Sequence, residues 1–384
     1  YADESGFIFF KGDDTTSIQD FIRAQSIKAN TQKEQLYKLY SNDAATIGMI
    51  AEYMGKTQID VWMEFVSSTT ASIVSYTHDE YNDFAVSVSE EKPIVIDCTA
   101  LLTIFLLFKR PELLTATNLR LFVTTSTIEE LIAFKESVYD SGPGMSVGVN
   151  NGVLTRFERT QQDIDRQISE IANVIEWCKQ NCTIITPKRV GKTIGKTDDV
   201  AEMIGNSSYD TLLLASQMSG VVLSDDAKLK SFGLGTFNLP AFCTYQLIII
   251  STRNEIIKPN DFTELYRILI RANYRFIPVT GPDLWLFFDE SGFRIDGPFV
   301  TAIQGLSIMR SDLVGFAVAA FAKSVYLNLS VPSLRISVLT YVLRGLKKHR
   351  DYARIIPVIR TFAAMQFNLM PQYGNEFLQL VAEV

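Results

Sequence analysis

Short apolar runs without polar alternation mark the middle of the chain. They are Ile94–Ile96, Leu119–Val123 and Val221–Leu223, and segments of helical periodicity lie between them. Runs of this length are typical of strands buried on both faces, as in a parallel sheet covered by helices. The pattern therefore predicts an α/β domain over residues 93–238. We interpret its inner section, about 137–208, as an insertion at the rim of the sheet.

Helical periodicity dominates both flanks. In residues 1–92, apolar positions within Ala44–Phe65 recur at helix spacing and predict a small, mainly helical region. After about Leu239, the pattern predicts an all-helical domain over 239–384, which is either one bundle or a repeat array. Prolines stand near the ends of its predicted helices, as expected of helix boundaries. These helices are predicted near Phe262–Ala272, Phe299–Tyr326, Leu334–Lys347 and Tyr352–Met370.

The composition is that of a folded, acidic protein. The 384 residues are 47% hydrophobic and 21% charged, and the formal net charge is -7. This length suits two or three domains, and the composition argues against extensive disorder. The acidic balance argues against coating nucleic acid through bulk positive charge, so any nucleic-acid contact must be local. The longest apolar runs, Cys98–Phe108 and Leu313–Ala322, are shorter than the roughly 20 residues that cross a bilayer, so no membrane partner is expected.

Cysteine and histidine usage narrows the chemistry. The four cysteines suggest free thiols in a reducing compartment, which favours the cytoplasm. Cys178 and Cys182 lie one helical turn apart, but no second Cys or His pair follows at a zinc-like spacing. His78 and His349 have no obvious Ser or Cys partner, which argues against a triad hydrolase. The chain begins at Tyr1 without a signal peptide, which suggests a fragment or a processed product.

Acidic residues follow two of the predicted strands. Asp97 comes directly after the first strand, and Asp225 and Asp226 come after the third. Ligand sites of open α/β sheets lie at the carboxyl ends of the strands, so these positions suit a functional site. For Asp97, a helix N-cap is the alternative interpretation. Adjacent carboxylates are costly unless a cation or a helix dipole compensates them.

Two further acidic positions fall in predicted helix starts. Glu129 and Glu130 are predicted in the first turn of the helix after the second strand, and Asp210 is predicted to open an apolar helix. Acids there also favour the helix dipole, so each position alone is a weak indication. Together, these acids can converge at one edge of a parallel sheet. Oxygen donors without His or Cys select hard cations, so Mg²⁺ or Mn²⁺ is the predicted cofactor.

Four short motifs occur in a fixed order along the chain. They read Ile96-Asp97-Cys98-Thr99-Ala100-Leu101, Glu130-Leu131, Asp210-Thr211-Leu212-Leu213-Leu214-Ala215 and Ser224-Asp225-Asp226. No single motif is specific, but their ordered combination resembles the PIN-domain nucleases of the 5′-nuclease superfamily. The resemblance covers about residues 93–235. It implies a PIN-like three-layer α/β/α domain with a central parallel sheet, flanked here by the two helical regions.

The resemblance also implies a site and a reaction. The candidate catalytic and metal-binding residues are Asp97, Glu130, Asp210 and Asp226. Within the doublets, Glu129 and Asp225 are the alternatives, and Asp225 is kept as a candidate metal ligand. Thr99 and Ser224 would brace the acids by hydrogen bonds. The implied reaction is metal-assisted hydrolysis of a phosphodiester that leaves 3′-hydroxyl and 5′-phosphate ends.

Three functional hypotheses remain open. The first is a metal-dependent endoribonuclease, such as a toxin-like or defence effector, with RNA as substrate. A regulatory protein, or self-association through the helical regions, would control it. The second is a catalytically inactive PIN scaffold that docks protein or nucleic acid. The third is a helical adaptor whose α/β domain binds a phosphate-bearing small molecule. The basic segment Arg344–Arg354 is either a phosphate contact or a solvated helix end.

Overall fold

The computed structural model describes most of the chain. It covers residues 33–42, 44–68, 71–75, 92–115, 119–150, 153–189 and 200–384, together with residue 31. Within these ranges, the chain forms a central parallel sheet with helices on both faces and helical flanks. None of the helices in these ranges is long and apolar enough to span a bilayer.

Two capped helices make up most of the described N-terminal region. They are α1 (Ile47–Met54) and α2 (Gln58–Ser67), and a helical segment over 33–41 precedes them. Each begins after a threonine whose side chain accepts a hydrogen bond from a first-turn amide. Gly55, with φ of 61°, ends α1, because a residue without a side chain adopts this left-handed conformation at little cost. The short strand β1 is Ile73–Val74.

The central region alternates strands and helices. Its strands are β2 (Pro93–Ile96), β3 (Arg120–Thr124), β4 (Gly144–Asn150), β5 (Val153–Arg159), β6 (Thr183–Ile185), β7 (Val221–Leu223) and β8 (Ala241–Phe242). Its helices are α3 (Cys98–Leu102), α4 (Glu112–Thr115), α5 (Thr125–Ser141), α6 (Gln161–Asn181), α7 (Asn206–Gln217) and α8 (Ala227–Phe237). A π-helical segment, Thr103–Phe108, continues α3. The strands β4 and β5 form an antiparallel hairpin.

Five parallel strands form the sheet in the order β6-β3-β2-β7-β8. In the centre, Ile96 of β2 lies opposite Leu223 of β7. Because the strands run in one direction, their carboxyl ends lie at the same edge. The amide of Asp97 donates to the carbonyl of Leu223 at 2.9 Å. Asp97 therefore lies next to Ser224 at this edge.

Alternate residues of the central strands are buried in two different cores. Val95, Phe122 and Val222 belong to a core that includes residues of α7 and α8. Their neighbours along each strand join the larger core on the opposite face. Side chains of a strand alternate between the faces of the sheet, so both faces are covered. The predicted three-layer α/β/α arrangement is confirmed.

Helices dominate the C-terminal part. They are α9 (Thr244–Arg253), α10 (Pro259–Arg271), α11 (Gly281–Glu290), α12 (Gly297–Gly305), α13 (Ser311–Asn328), α14 (Pro332–His349), α15 (Tyr352–Gln366) and α16 (Pro371–Glu383). The strand β9 (Tyr274–Arg275) pairs in parallel with β1 and so connects this part to the N-terminal region. The region predicted to be helical thus also contains two short strands, β8 and β9.

One predicted helix needs correction. The single helix expected over Phe299–Tyr326 is wrong, because the structure has α12 and α13 with a break at residues 306–310. At the end of α12, a Cβ added to Gly305 would lie 1.9 Å from the carbonyl oxygen of Ile277. The glycine permits this close approach between two distant segments. Helical periodicity contains no indication of such a contact.

Candidate functional site

Asp97 ends β2 and caps α3. Its Oδ2 accepts hydrogen bonds from the amide and the hydroxyl of Thr99, at 3.1 and 2.5 Å, and from the hydroxyl of Ser224 at 3.0 Å. The side chain is fully buried, and Oδ1 has no partner among the described residues. Burial raises the pKa of Asp97, and the bonds from Thr99 and Ser224 oppose that rise. Asp97 is therefore an N-cap that also presents a free acceptor, at a cost in desolvation.

Asp226 caps α8 in a similar way. Its Oδ1 accepts from the amides of Lys228 and Leu229, at 3.0 and 3.1 Å. Its Oδ2 accepts from the amide of Ile47, at 2.6 Å, across 179 residues of sequence. The pKa of Asp226 is raised to about 7, chiefly by burial and in part by the charge of Asp97. Both oxygens of Asp226 are thus bonded to backbone amides.

Glu130 on α5 belongs to the same cluster. Its Oε1 accepts from the amide of Gln58 at 2.7 Å. The pKa of Glu130 is raised to about 7, chiefly by burial, and the charge of Asp97 adds to the rise. The neighbouring Glu129 is exposed. Since the charge of Asp97 acts on both Glu130 and Asp226, these three carboxyl groups form one electrostatic cluster, which we call the acidic edge.

Two helices of the site begin earlier than predicted. Thr124, the last residue of β3, caps α5, and α7 begins at Asn206. Glu130 and Asp210 therefore lie in the second turns of their helices, and the predicted first-turn placement is wrong. The helix dipole acts mainly within the first turn. The dipole explanation for these two acids consequently loses support.

Asp210 is paired with an arginine. Its Oδ1 accepts from Nε and Nη2 of Arg189, at 3.1 and 2.9 Å. The guanidinium also lies over the ring of Tyr209, 5.7 Å from its centroid. Asp210 is nearly buried, and α7 packs against β2, β3 and β7. A cation of the protein therefore balances this carboxylate in the structure.

Asp225 connects segments that are distant in sequence. Its Oδ1 accepts from the amide and hydroxyl of Thr244, at 2.8 and 2.9 Å. Its Oδ2 accepts from the hydroxyls of Thr103 and Thr244, at 2.6 and 2.7 Å. Burial raises the pKa of Asp225, and these bonds and the charge of buried Lys230 oppose that rise. Both oxygens are bonded, so Asp225 anchors the start of α9.

We expect Asp225→Ala to lower the free energy of unfolding by about 3 kcal/mol, because it leaves the buried amide and hydroxyl of Thr244 without their acceptor. Thr103 keeps its bond to the carbonyl of Thr99. Urea unfolding at pH 7 measures the change. Asp289→Ala, which removes an exposed acid of α11, is the control and should change stability by less than about 0.5 kcal/mol. A loss at Asp225 no larger than in the control would contradict the anchoring role.

The starts of α1 and α2 cover the acidic edge. The amides of Ile47 and Gln58, each the first residue of its helix, bond to Asp226 and Glu130. The packing is close, since a Cβ added to Gly48 would lie 1.8 Å from the carbonyl oxygen of Ile204. Helix N-termini carry unpaired amides and partial positive charge. The helix N-termini therefore stabilise the two carboxylates, a role that a bound cation would otherwise have.

Carboxylate oxygens suit a hard cation, but the candidate ligands are not brought together around one point in this structure. Across the described ranges, no three Asp, Glu, His or Cys side chains are placed to hold a metal ion together. Asp226 and Glu130 direct oxygens at α1 and α2, and within the described ranges Asp97 Oδ1 is the buried carboxylate oxygen without a partner. Withdrawal of α1 and α2 would free two more oxygens. Oxygen ligands alone match Mg²⁺ or Mn²⁺.

Residues 95–233 match the model of a family described as "PIN domain associated with the TPR-GreAB-C-PIN system". This part of the chain is a PIN domain. The match runs from β2 into α8 and contains the whole acidic edge. No curated protein and no solved structure matches the chain. The PIN domain suggests a nuclease-type fold, and the resemblance predicted from the four motifs is confirmed.

The groups that cover the PIN domain's acids were not predicted from the sequence. The start of α2 is readable, because Thr57 and Asp60 form a capping box. Nothing local indicates that its first amide bonds to Glu130, 72 residues away. The buried Lys230, whose charge lowers the pKa of Asp225, was not predicted as part of the site either. Its position one turn after Asp226 on a predicted helix was the available indication.

The stability of the PIN domain should depend on the protonation of Glu130. Its pKa is about 7 in the folded chain and about 4.3 when unfolded. The folded state therefore holds the proton more tightly, and this contribution to stability is lost as pH rises from about 4 to 7. We expect wild type to lose stability relative to Glu130→Gln over this range. Urea unfolding of both proteins in EDTA across this pH range measures the difference in the free energy of unfolding. Parallel pH profiles would contradict the raised pKa, and Glu129→Gln is the matched control.

Proposed function

We propose that the PIN domain is a divalent-metal-dependent endonuclease that hydrolyses RNA phosphodiester bonds. The observation that carries the proposal is Asp97 Oδ1, a buried carboxylate oxygen that has no hydrogen-bond partner in the described part of the chain. Burial raises the pKa of Glu130 and of Asp226, and the charge of Asp97 adds to the rise. Carboxyl groups that repel one another in a buried place are stabilised by a bound cation.

The proposed metal ligands are Asp97, Glu130 and Asp226, with Asp210 joining them when Arg189 withdraws. Mg²⁺ or Mn²⁺ held there would lower the pKa of a bound water and neutralise charge on the phosphate. The hydroxyls of Thr99 and Ser224 fix Asp97 through Oδ2, so that Oδ1 keeps one direction. Asp225, a candidate ligand from sequence, is left out of this set because its oxygens bond to Thr103 and Thr244, and withdrawal of α1 and α2 would not free them.

The proposal includes control by the N-terminal helices. The amides at the starts of α1 and α2 hold two of the three acids, so the arrangement corresponds to a closed enzyme. A regulatory protein, or self-association through the helical regions, would open it. Such control suits a toxin-like or defence effector. The four cysteines, all among the described residues, form no disulfide, which fits a reducing compartment, for which we propose the cytoplasm.

The second candidate function is a catalytically inactive PIN scaffold that docks protein or nucleic acid. The same contacts favour it, because backbone amides already satisfy Asp226 and one oxygen of Glu130. In that case, the acidic edge would be a structural junction between the N-terminal helices and the sheet. The acidic edge would then bind no metal, whether α1 lies against it or is withdrawn.

Incubation of the purified chain with end-labelled RNA and DNA of the same sequence tests the proposed function. In millimolar Mn²⁺ or Mg²⁺ we expect internal cleavage, with RNA cut faster and with 5′-phosphate products. EDTA should abolish cleavage, and added Mn²⁺ should restore it. Cleavage that persists in EDTA would contradict the metal dependence. No cleavage, together with no Mn²⁺ binding by calorimetry, would favour the scaffold.

A further inference from the structure

A second polar site lies among the C-terminal helices. The cavity has a volume of about 480 Å³. It is lined by the segment after β9, the residues before α13 and the connection between α14 and α15. Pockets of about 300–1,000 Å³ are typical of small-molecule sites. The cavity is therefore large enough for a ligand the size of a mononucleotide.

Three basic side chains lie in the wall of this cavity, among apolar and hydroxyl residues. His349, Arg350 and Arg354 line it, with Asp351 as an acidic lining residue that pairs with Arg354 at 3.0 Å. Arg350 donates through Nη1 to the carbonyls of Leu306, at 3.0 Å, and Met309. These bonds fix its guanidinium at the cavity while Nε and Nη2 keep further N–H groups. The wall thus carries more positive than negative charge.

Arg275 adds a further cation behind this wall. It directly precedes Phe276, a lining residue, and its Nε is buried without a partner among the described residues. Burial lowers the pKa of Arg275 and of Arg350. Partial burial also lowers the pKa of His349, and the charges of Lys348 and Arg275 add to that effect. No carboxylate among the described residues acts on the pKa of Arg275, His349 or Arg350, so a bound anion would offset the cost of burying them.

Two helix N-termini open on the same cavity. Ser311 is the first residue of α13, and Asp351 is the N-cap of α15; both residues line the cavity. No side chain of the described residues caps either helix. Their first amides therefore lack the partner that a capping side chain supplies. Unpaired amides and the positive ends of helix dipoles bind phosphate.

We propose that this cavity binds a phosphate group carried by a nucleotide-sized ligand. Two helix N-termini and several basic side chains match the charge of a phosphate better than that of a single carboxylate. The site belongs to the C-terminal helices and does not depend on the nuclease function of the PIN domain. The phosphate comes either from a free nucleotide or from the 5′ end of an RNA. Both sources share the phosphomonoester that the site recognises.

Calorimetry in EDTA tests the site independently of any cleavage. The probes are a nucleoside 5′-monophosphate, the nucleoside itself, and a short RNA with or without a 5′-phosphate. We expect the nucleoside to bind at least about tenfold more weakly than its monophosphate, as loss of charge-assisted hydrogen bonds implies. Binding of the phosphorylated RNA without the mononucleotide identifies RNA as the source. The proposal fails when neither phosphorylated probe binds.

Single substitutions test whether the phosphorylated probe binds in this cavity. Arg354→Gln removes a lining cation that is exposed and pairs with Asp351 alone. Ser311→Pro removes an amide at a position where helices accept proline. Each should weaken binding of the phosphorylated probe by about tenfold. Arg360→Gln, an exposed arginine of the same α15 outside the cavity, should bind as wild type does. Equal affinity of all variants would overturn the assignment of the cavity.

Discussion

Asp97→Asn is expected to remove metal-dependent cleavage and to leave the chain folded. The amide oxygen of Asn can take the place of Oδ2 and keep the bonds from Thr99 and Ser224. Its NH₂ group then occupies the place of Oδ1, where a metal ion needs an electron pair rather than a donor. A metal ion contributes several kcal/mol to transition-state stabilisation, so the rate should fall by about a hundredfold or more.

The cleavage rate in Mn²⁺ and the thermal unfolding midpoint are measured together for Asp97→Asn. Glu129→Gln is the control, because this exposed carboxylate lies beside Glu130 but outside the acidic edge. The control should keep the wild-type rate. A folded Asp97→Asn that cleaves as fast as wild type would show that the chemistry takes place elsewhere.

Ile47→Pro is expected to open the acidic edge and raise the cleavage rate. Ile47 is the first residue of α1, a position at which helices accept proline. Thr46 is extended, as the residue before a proline must be. The substitution therefore removes the amide that bonds to Asp226 and keeps the helix. A hydrogen bond to a charged group contributes about 1.5–3 kcal/mol, so the open population should rise about tenfold or more.

The control for Ile47→Pro is Ile47→Val, which trims the same side chain and keeps the amide. Gln58→Pro applies the same test at the start of α2, where the amide bonds to Glu130. Cleavage rates in Mn²⁺ are compared for all three variants. Proline variants that cleave no faster than Ile47→Val would contradict the closing role of the helices. If Asp97→Asn is inactive in that case, the proposed metal ligands would remain supported, and only the closing role of the helices would fail.

The strand ends of the site follow from local sequence. The apolar run before Asp97 and the run before Ser224 each define a buried strand, and parallel strands bring their ends to one edge. Local pattern also places Glu130 on a helix. It misses the helix start, because Thr124 serves both as the last residue of a strand and as a cap. Local sequence therefore predicts which segments are strands and helices. The turn of the helix in which a residue lies depends on which side chain caps the helix.

The rest of the site depends on contacts between distant segments. Asp225 resembles Asp226 in sequence, but the docking of α9 places Thr244 against it. Asp210 has Arg189 as its partner because residues 188 and 189, which follow β6, lie against α7. The amide of Ile47 reaches Asp226 only in the folded chain. Propensity and periodicity contain no information on these pairings.

The most direct test compares Mn²⁺-dependent cleavage of labelled RNA by Ile47→Pro with that by the double variant Ile47→Pro/Asp97→Asn. The open site should be more active than wild type, and the added substitution should abolish that activity while Mn²⁺ affinity falls. This result would connect metal, acidic edge and covering helices in one experiment. Equal cleavage by the two variants, or no cleavage by either, would contradict the account.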